Sequence, residues 1–433
     1  MNRKASNTGD MTPLEKAPDP GLPDTVIAKE RYTDPGFMQL EWDRIWTKVW
    51  LLGCMEQDLP EPGDHMVTEI GRESILLVRQ EDRSVRAFYN VCQHRGNLLR
   101  PSGFGHARSF QCRYHHWEYN LDGSFKRIPD AETFPQGTPC TGLEELPCAN
   151  WGGLVFFSLN PDIEPLSDYL DVIPRHLDPY HFPRMARDRN VTVEWDCNWK
   201  TSVDAFNESY HVQGIHPQLL WHLDDLNIQI DCYGKHNRYL IEFAKVSPRV
   251  NQPPDIPPGI KGLMKEAHMD PADYYGRVAD VRQDLQNWKR KYGTDQGKDY
   301  SRLHDQQLTD DFHYLIFPNL TLNVHADDYW LFRQRPHATD PNRMYFDIWT
   351  FKLIAEGEPW PDPPEHTQFK HGEKSIGLVL DQDAANLPGV QQGMNSAGYR
   401  GLWLGSQELR IRHFHKVIDD YVYGPGAKPE GAL

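Results

Sequence analysis

The sequence lacks three features that would place the protein in other classes. It has no apolar run approaching the ~18 residues of a membrane-spanning helix. With 46 Lys and Arg against 62 Asp and Glu, its formal net charge is −16, so it has no excess of basic residues for nucleic acid. Its N-terminus is polar and Pro-rich, without the apolar stretch of a secretory signal. We therefore expect a cytoplasmic protein that binds neither nucleic acid nor membrane.

Cysteine is also scarce, with seven residues in a chain of 433. The number is odd and the density is too low for a disulfide framework, which agrees with a reducing compartment. A chain of this length can form two or three domains with sizeable cores.

The patterning of the chain predicts an α+β protein with several segments. Residues 1–25 are predicted to be a flexible arm, and residues 26–49 a helical segment that packs on the second domain. Residues 50–160 contain short β-rich runs separated by turns, including the hairpin signal "NLDG", and are predicted to form a small all-β domain. Residues 161–433 mix helices with antiparallel strands and contain a polar helical insertion at 248–310.

Two predictions within the second domain bear on a possible site. The segment "TSVDAFNESYHVQG" is predicted to be one helix that ends at Gly214. The segments "FHYLIFPNLTLNV", "DYWLFRQRP" and "MYFDIWTFKLI" are predicted to be three consecutive strands. We expect pocket walls to come from apolar residues of these strands: Phe312, Tyr314, Ile316, Leu320, Leu322, Tyr329, Leu331, Phe346, Ile348 and Trp349.

Two Cys–His pairs lie in the β-rich domain. "CQHRG" supplies Cys92 and His94, and seventeen residues later "CRYHHW" supplies Cys112 and His115, with His116 next to it. Each pair follows a β-like run, so each is expected on a loop at a hairpin tip. The pairs are compatible with two unrelated loops, with a Cys2His2 zinc site, or with a [2Fe–2S] cluster held by two thiolates and two imidazoles.

Together the two segments resemble the Rieske motif, C-x-H followed by C-x2-H. The resemblance implies that Cys92 and Cys112 bind one iron and that His94 and His115 bind the other. Neutral imidazoles raise the reduction potential of such a cluster, which suits it to accept electrons from a reductase. The chain departs from the family at His116, where most members have Gly.

A second group of candidate ligands follows in "NWKTSVDAFNESYHVQGIHP". On a continuous helix Glu208 would lie one turn before His211, with Asp204 one turn further back on the same face. Two histidines with one carboxylate form the facial triad of non-heme Fe(II) oxygenases. In a chain with twenty histidines, His211 and His216 are also compatible with a chance pair on a polar helix.

With the Rieske motif upstream, this segment resembles the catalytic signature of Rieske non-heme iron oxygenase large subunits, over residues 26–422. The resemblance implies a Rieske β domain followed by a helix-grip domain, a curved antiparallel sheet with helices. It implies that His211 and His216 bind a mononuclear iron. The segment "LVLDQDAANLPGVQQGM" is similar to the family segment that carries the third ligand, which points to Asp383, with Asp381 as the alternative.

The resemblance also implies a route for electrons between subunits. Glu208 corresponds to an acid that bridges His115 of one subunit and His211 of its neighbour in a head-to-tail homotrimer, which in some members also contains a small β subunit. A carboxylate hydrogen-bonded to a ligand imidazole fixes its orientation. Asp204 is expected to support the ligands without binding iron. A further departure is Ala205, where the family often has Asn.

The expected function is that of a terminal oxygenase component. A ferredoxin, a flavin reductase or both would supply electrons from NAD(P)H, and O2 would be the co-substrate. The apolar strands favour hydroxylation or dihydroxylation of an aromatic or polycyclic substrate. The alternatives are a monooxygenase that cleaves a C–N bond of a quaternary ammonium compound and, less favoured, a Rieske electron carrier without catalysis.

Overall fold

The computed structural model describes residues 11–139 and 141–426, which form two compact units. One unit consists of residues 40–169, and the other combines the residues up to 39 with those from 170 onward. The predicted β domain, residues 50–160, lies within the first unit. None of the helices in the described ranges combines the length and the apolar character needed to cross a membrane.

The predicted arm falls partly outside the described residues, since residues 1–10 are not among them. The part that is described makes specific contacts with the second unit. Arg238 donates hydrogen bonds to the carbonyl oxygens of Pro13 (2.7 Å) and Glu15 (3.1 Å), and the amide of Ala17 donates to Asp231 Oδ1 (2.6 Å). These contacts hold residues 13–17 against strands of the unit, while the flexibility of the arm as a whole stays a prediction.

The predicted helical segment at 26–49 is broken into short elements. Strand β1 is followed by helices α1 and α2 and by a π-helical turn, with bounds Ile27–Ala28, Glu30–Thr33, Pro35–Glu41 and Trp42–Trp46. The segment is thus helical over much of its length but not continuous, because Pro35 disfavours helical backbone at Asp34 and starts a new helix instead.

The unit of residues 40–169 is built almost entirely from strands. A five-stranded sheet has the order β10-β5-β4-β3-β6, and two three-stranded sheets have the orders β11-β12-β2 and β7-β8-β9. The bounds of β2 to β12 are Trp50–Met55, Asp64–Ile70, Glu73–Arg79, Val85–Tyr89, Gly103–His106, Phe110–Gln111, Glu118–Tyr119, Phe125–Arg127, Glu145–Leu146, Cys148–Trp151 and Leu154–Ser158. The predicted hairpin is present between β8 and β9.

Helix α3 crosses the boundary between the two units, and the second unit combines the seven helices from α4 onward with a large sheet. The helices α3 to α10 are Leu166–Leu170, Ile173–Leu177, Trp199–Phe206, Val212–Ile215, Pro258–Glu266, Asp280–Tyr292, Leu378–Met394 and Leu409–Tyr423. Strands β13 to β21 are Met185–Trp195, Gln229–Tyr233, His236–Ile241, Asp311–Ile316, Leu320–Val324, Asp328–Pro336, Met344–Leu353, Thr367–Lys370 and Gly401–Leu402. Eight of them form one sheet in the order β14-β15-β16-β17-β18-β19-β13-β20. The α+β class is therefore confirmed.

The long strands of this sheet differ from the prediction in number. The first of the three predicted strands is two strands, β16 and β17, because the chain reverses between Ile316 and Leu320. Pro318 lies at the turn, where its missing N–H costs no ladder hydrogen bond.

Each strand of the sheet presents alternate residues to opposite faces. Phe206 at the end of α5 packs on Phe332 and Phe346, with ring centroids 5.0 and 5.5 Å apart, so we call this side the α5 face. Strand register places only Phe346 and Ile348 of the ten predicted pocket residues on the α5 face. The other eight lie on the opposite face, where Tyr329 stacks on Phe182 at 4.3 Å. The expectation that these eight line a pocket was therefore wrong, since they form ordinary core.

The predicted insertion has a small apolar core of its own. Helices α7 and α8 bury Ile260, Met264, Val281 and Leu285 against one another. The insertion is thus an ordered layer, and it begins after β15 and ends before β16.

Candidate functional site: two groups of metal ligands

The two Cys–His loops share one backbone design. In the first loop the amide of Cys92 donates to the carbonyl of Asn97 (2.9 Å), and the amide of Gly96 donates to the carbonyl of Cys92 (3.0 Å). In the second loop the amide of Cys112 donates to the carbonyl of Trp117 (2.8 Å), and the amide of His116 donates to the carbonyl of Cys112 (3.0 Å). Two such loops, each at the end of a strand pair, present a thiol and an imidazole in the same local geometry.

This repeated design explains the departure at His116. Gly96 has φ of 74°, in the left-handed region, and His116 occupies the equivalent position of the second loop with φ of 60°. Gly adopts this conformation without steric cost, whereas most side chains do not, and His is among the more tolerant ones. The loop therefore keeps its shape with His116, and we assign that residue no role as a ligand.

Both thiols are buried and hydrogen-bonded. The Tyr119 hydroxyl lies 3.3 Å from Cys92 Sγ, and the Asn97 amide donates to Cys112 Sγ at 3.7 Å. Burial raises the pKa of Cys92. Burial also acts to raise the pKa of Cys112, but the backbone amide of Tyr114 and other donors outweigh it and lower that pKa. Donors directed at a sulfur favour the thiolate, which is the form that binds metal.

The imidazoles of His94 and His115 contact each other edge to face, with an angle of 67° between the ring planes. Their ring centroids are 4.5 Å apart, and His94 stacks on Trp117 at 4.8 Å. The Nδ1 atom of His94 is buried and has no hydrogen-bond partner within the described residues. A buried polar atom without a partner is rare and is expected where it binds a metal.

The four donors fit one of the two metal hypotheses better than the other. A single tetrahedral zinc has bonds of about 2.0–2.3 Å, so it would bring all four ligand atoms within roughly 4 Å of one another. Within the described residues, the side chains whose ligand atoms converge for one metal ion are His211, His216 and Asp383, and the four loop donors do not form such a group. Two thiolates and two imidazoles fit a two-iron cluster with a pair of ligands on each iron.

The second group of ligands lies outside the helix predicted for it. Helix α5 ends at Phe206, and a separate short helix, α6, begins at Val212. The carboxylate of Glu208 accepts a hydrogen bond from the backbone amide of His211 (3.0 Å), so a side chain satisfies an amide at the start of α6. The prediction that Asp204, Glu208 and His211 share one helical face was therefore wrong.

The carboxylate of Glu208 also fixes the His211 ring. Glu208 Oε1 lies 2.6 Å from His211 Nδ1. Burial acts to lower the pKa of His211, but the hydrogen bond and charge of Glu208 and the charge of Asp383 raise it overall. With Nδ1 engaged in this way, Nε2 is the nitrogen left to bind a metal, and it faces Asp383 Oδ1 at 3.8 Å.

His216 is oriented in the same way by a residue that sequence reasoning missed. Its Nδ1 lies 2.8 Å from Gln382 Oε1, and its Nε2 lies 2.9 Å from Asp383 Oδ1. Gln218 donates to the same oxygen of Gln382 at 2.7 Å and holds it in place. The available signal was the position of Gln382 directly before a candidate ligand on a helix, but nothing in the sequence shows which way its side chain points.

The facial triad residues converge on one point. The ligand atoms of His211, His216 and Asp383 all lie within 4.8 Å of one another. Asp381 lies two residues earlier on α9, on a different face of the helix, and its carboxylate accepts hydrogen bonds from Ser375 and from the amide of Ile376 (2.8 Å). Two imidazoles with one carboxylate, on a buried trio, fit a mononuclear Fe(II) that keeps open positions.

Asp204 belongs to a buried hydrogen-bond network and makes no hydrogen bond to the trio. It accepts a hydrogen bond from the Tyr32 hydroxyl (2.5 Å), and His415 Nε2 lies 2.7 Å from the same hydroxyl and 3.3 Å from Asp204 Oδ2. Tyr32 comes from α1 and His415 from α10, so this network joins three distant parts of the unit. Asp204 therefore contacts helices around the site rather than the candidate ligands.

Two family models match the chain. The Rieske [2Fe-2S] domain model matches residues 49–147, and the model of the catalytic domain of the ring hydroxylating alpha subunit matches residues 182–424. Together they include both groups of candidate ligands described above.

Similar curated proteins fall into two groups by name. The chain is 33% identical over 201 residues to the oxygenase subunit of glycine betaine monooxygenase from Chromohalobacter salexigens, which is 46% of this chain and 44% of that protein. It is 32% identical over 191 residues to the alpha subunit of chlorobenzene dioxygenase from Cupriavidus, 42% of each chain. The matched segments thus span less than half the length of these relatives.

Solved structures share the fold over nearly the whole chain. The quaternary ammonium Rieske monooxygenase CntA superposes with a TM-score of 0.68 at 19% identity, over 94% of this chain and 99% of that one. Naphthalene 1,2-dioxygenase with indole bound superposes with a TM-score of 0.65 at 19% identity, over 96% of each chain. The architecture and the family models agree, and the chain belongs to the ring hydroxylating alpha subunits with a Rieske [2Fe-2S] domain, the Rieske-type non-heme iron oxygenases.

Proposed function

We propose that the protein is the terminal oxygenase component of an O2-dependent, NAD(P)H-coupled system. The observation that carries this proposal is the geometry of His211, His216 and Asp383, whose ligand atoms face one another in a buried position while both histidines are oriented from behind. A Rieske electron carrier without catalysis would require only the two Cys–His loops and would not require a second set of metal ligands. The same chain also carries the four Rieske donors.

The residues named above would hold an iron–sulfur cluster and a mononuclear iron. Cys92, His94, Cys112 and His115 would bind the cluster, and the trio would bind Fe(II). When bound, the cluster passes on single electrons and the iron activates O2 at its open positions. The chain's own part is to keep each imidazole in the tautomer that binds, through Glu208 for His211 and through Gln382 for His216.

Glu208 is proposed to join the two groups across subunits of a homotrimer. One of its oxygens holds His211, and the side chain retains 9% exposure on a cavity of about 290 Å³. The rim of that cavity includes Trp403, which is 82% exposed. A large exposed aromatic residue beside a functional carboxylate supports a contact with another chain. His115 of a neighbouring subunit is the group that we propose approaches Glu208 there.

The proposed substrate is a hydrophobic organic molecule of the aromatic or polycyclic class, which would be hydroxylated or dihydroxylated. The apolar residues of the α5 face and the similarity to chlorobenzene dioxygenase support it. Cleavage of a C–N bond in a quaternary ammonium compound is the second candidate, since the relative named as a glycine betaine monooxygenase is similarly close. A ferredoxin, a flavin reductase or both are the proposed electron donors, with or without a small β subunit.

The substitution Glu208→Gln tests the bridging role. The amide keeps the size of the side chain but removes its charge and turns one acceptor into a donor. We expect the cluster to remain reducible by a surrogate reductase while product formation falls by about 10- to 100-fold, because loss of a ligand-orienting partner commonly costs that much. Product is measured by mass spectrometry and cluster reduction by visible absorbance.

The control is Glu408→Gln, which changes a carboxylate on the same cavity. Glu408 accepts a hydrogen bond from the amide of Gly405 (2.6 Å), and its side chain is placed outside the ligand group. We expect near-normal turnover in that variant. Normal turnover in Glu208→Gln would exclude the bridging role, and zinc without iron or sulfide in the purified wild-type protein would exclude the oxygenase itself.

A further inference from the structure

A second cavity lies on the α5 face beneath the insertion. Its volume is about 600 Å³, within the range of sites for small organic molecules. Trp330 from β18 and Phe243, which follows β15, lie on the sheet side, and Leu263, Leu285 and Trp288 of the insertion lie opposite. A pocket of this size with two indole rings can bury an aromatic or similarly apolar body.

The cavity is formed before any ligand binds. Leu285 belongs to the core that joins α7 and α8, with Trp288 packed against it. The insertion is also tied to the sheet, because Lys289 of α8 binds Asp327 in the turn between β17 and β18. A preformed pocket avoids the cost of ordering loops around a ligand.

One wall of the cavity carries an excess of positive charge. The carboxylate of Asp327 is shared by Lys289 Nζ (2.7 Å) and Lys298 Nζ (2.9 Å), and the Tyr300 hydroxyl donates to it at 2.5 Å. Burial acts to raise the pKa of Asp327, but the two ammonium groups hold it well below its usual range. The group of Lys289, Lys298 and Asp327 therefore has a net charge of +1.

The other cations of the lining are already paired. His325 Nδ1 lies 2.8 Å from Asp328, and the carboxylates of Asp328 and Asp311 outweigh burial and raise the pKa of His325 to about 9. Lys352 binds Asp188 at 2.8 Å, and Glu266 is the remaining carboxylate of the lining. Lys289 and Lys298 are therefore the pair of cations in the lining that share a single carboxylate.

The two shared lysines can bind an anion directly. Each ammonium has three N–H donors, and Asp327 occupies only part of them. The side chains of Lys289 and Lys298 are 16% and 25% exposed, so a hydrogen bond to a ligand there is partly shielded from water and stronger than on an open surface.

We propose that this cavity binds an organic carboxylate with an apolar body, the carboxylate at Lys289 and Lys298 and the body against Trp288 and Trp330. The cavity shares the α5 face with the segment that carries Glu208 and His211, and Phe243 packs into the apolar cluster that contains Val212. Under the proposed function, on which this step rests, the carboxylate belongs to the substrate. If the ligand is not converted, it is an effector of the same chemistry.

Three probes with the same ring system test the proposal: naphthoate, naphthylmethanol and naphthylmethyl-trimethylammonium. Binding to the full-length protein is measured by titration calorimetry without O2 or reductant, so the result does not depend on turnover. We expect naphthoate to bind at least about tenfold more tightly than the alcohol, since charge-assisted hydrogen bonds are roughly twice as strong as neutral ones. Equal or tighter binding of the ammonium probe would overturn the proposal.

The substitution Lys298→Met removes one of the two ammonium groups and keeps most of the side-chain volume. We expect about a tenfold loss of naphthoate affinity and little change for the alcohol, in line with loss of one charged partner. Lys291→Met on the exposed side of α8 is the matched control and should bind naphthoate as the wild type does. Circular dichroism verifies the fold, and equal naphthoate affinity in the two variants would overturn the assignment.

Adding a surrogate reductase and O2 then distinguishes whether the bound carboxylate is a substrate or an effector. An oxygenated naphthoate detected by mass spectrometry identifies the site as a substrate site. Binding without conversion, in a protein that oxidises the alcohol probe, identifies an effector site. Binding to a chain that holds no iron would contradict the oxygenase proposal alone and leave the carboxylate site in place.

Discussion

The two groups of metal ligands are assembled over very different lengths of chain. The Rieske donors lie on two loops of six residues each, 92–97 and 112–117, whose backbone hydrogen bonds repeat one another. The mononuclear trio joins His211 and His216 to Asp383, which lies 167 residues beyond His216. Short loops with fixed spacing define the first group, while the packing of α9 against the segment after α5 defines the second.

This difference determines how each site responds to substitution. In the loops, local backbone conformation holds the ligands, so changes there should alter the properties of the cluster more than its assembly. In the trio, both histidines face Asp383 from a distant segment, and His216 is also oriented by Gln382 of that segment. We therefore expect single substitutions at the trio to be the more damaging.

Asp383→Ala should have the largest effect. It removes the only carboxylate whose oxygen faces both Nε2 atoms among the described residues, so the remaining imidazoles should not retain Fe(II). We expect loss of about one iron per chain with the visible spectrum of the cluster unchanged. Iron analysis with the absorbance spectrum measures both, and retention of that iron would contradict the assignment.

Asp381→Ala is the matched control on the same helix. Its carboxylate serves Ser375 and the amide of Ile376 near the start of α9. We expect full iron content and a loss of stability of about 1 kcal/mol, similar to the removal of a helix cap. If Asp381→Ala lost iron and Asp383→Ala kept it, the third ligand would be Asp381.

Tyr119→Phe should have an intermediate effect, confined to the cluster. The hydroxyl lies 3.3 Å from Cys92 Sγ, and hydrogen bonds to ligand sulfurs stabilise the reduced, more negative cluster. Removing it should lower the reduction potential by tens of millivolts, where about 59 mV corresponds to a factor of ten for one electron. Redox titration followed by EPR measures the shift, and an unchanged or higher potential would exclude this role of Tyr119.

His116→Gly should have the smallest effect. The residue has φ of 60°, where Gly carries no steric penalty, so the substitution should stabilise the loop by up to about 1 kcal/mol, partly offset by the greater freedom of Gly in the unfolded chain. The temperature at which the absorbance of the cluster is lost measures the stability of the unit that contains this loop. Gly96→Ala at the equivalent position should destabilise it by a similar amount, and loss of the cluster in His116→Gly would mean that His116 binds iron.

Local patterns carried much of the prediction. The Cys–His spacing and the hairpin at "NLDG" were visible in the sequence, because strands and turns depend on neighbouring residues. The predicted helix around His211 failed for a local reason as well. Helix α5 ends at Phe206, and the carboxylate of Glu208 then accepts from the amide of His211 at the start of α6, which helical periodicity alone does not reveal.

The sequence by itself determined the types and spacing of the candidate ligands and the fold class. Only the tertiary structure decided that Gln382 orients His216, that Asp204 joins Tyr32 and His415, and that the insertion covers a cavity in which two lysines share one carboxylate. The physical reason is the separation in sequence of the residues that interact. Loop geometry follows from a few consecutive residues, whereas these contacts depend on which faces of distant helices and strands pack together. Strand register decided in the same way that Trp330 lines that cavity while its neighbours Tyr329 and Leu331 are core.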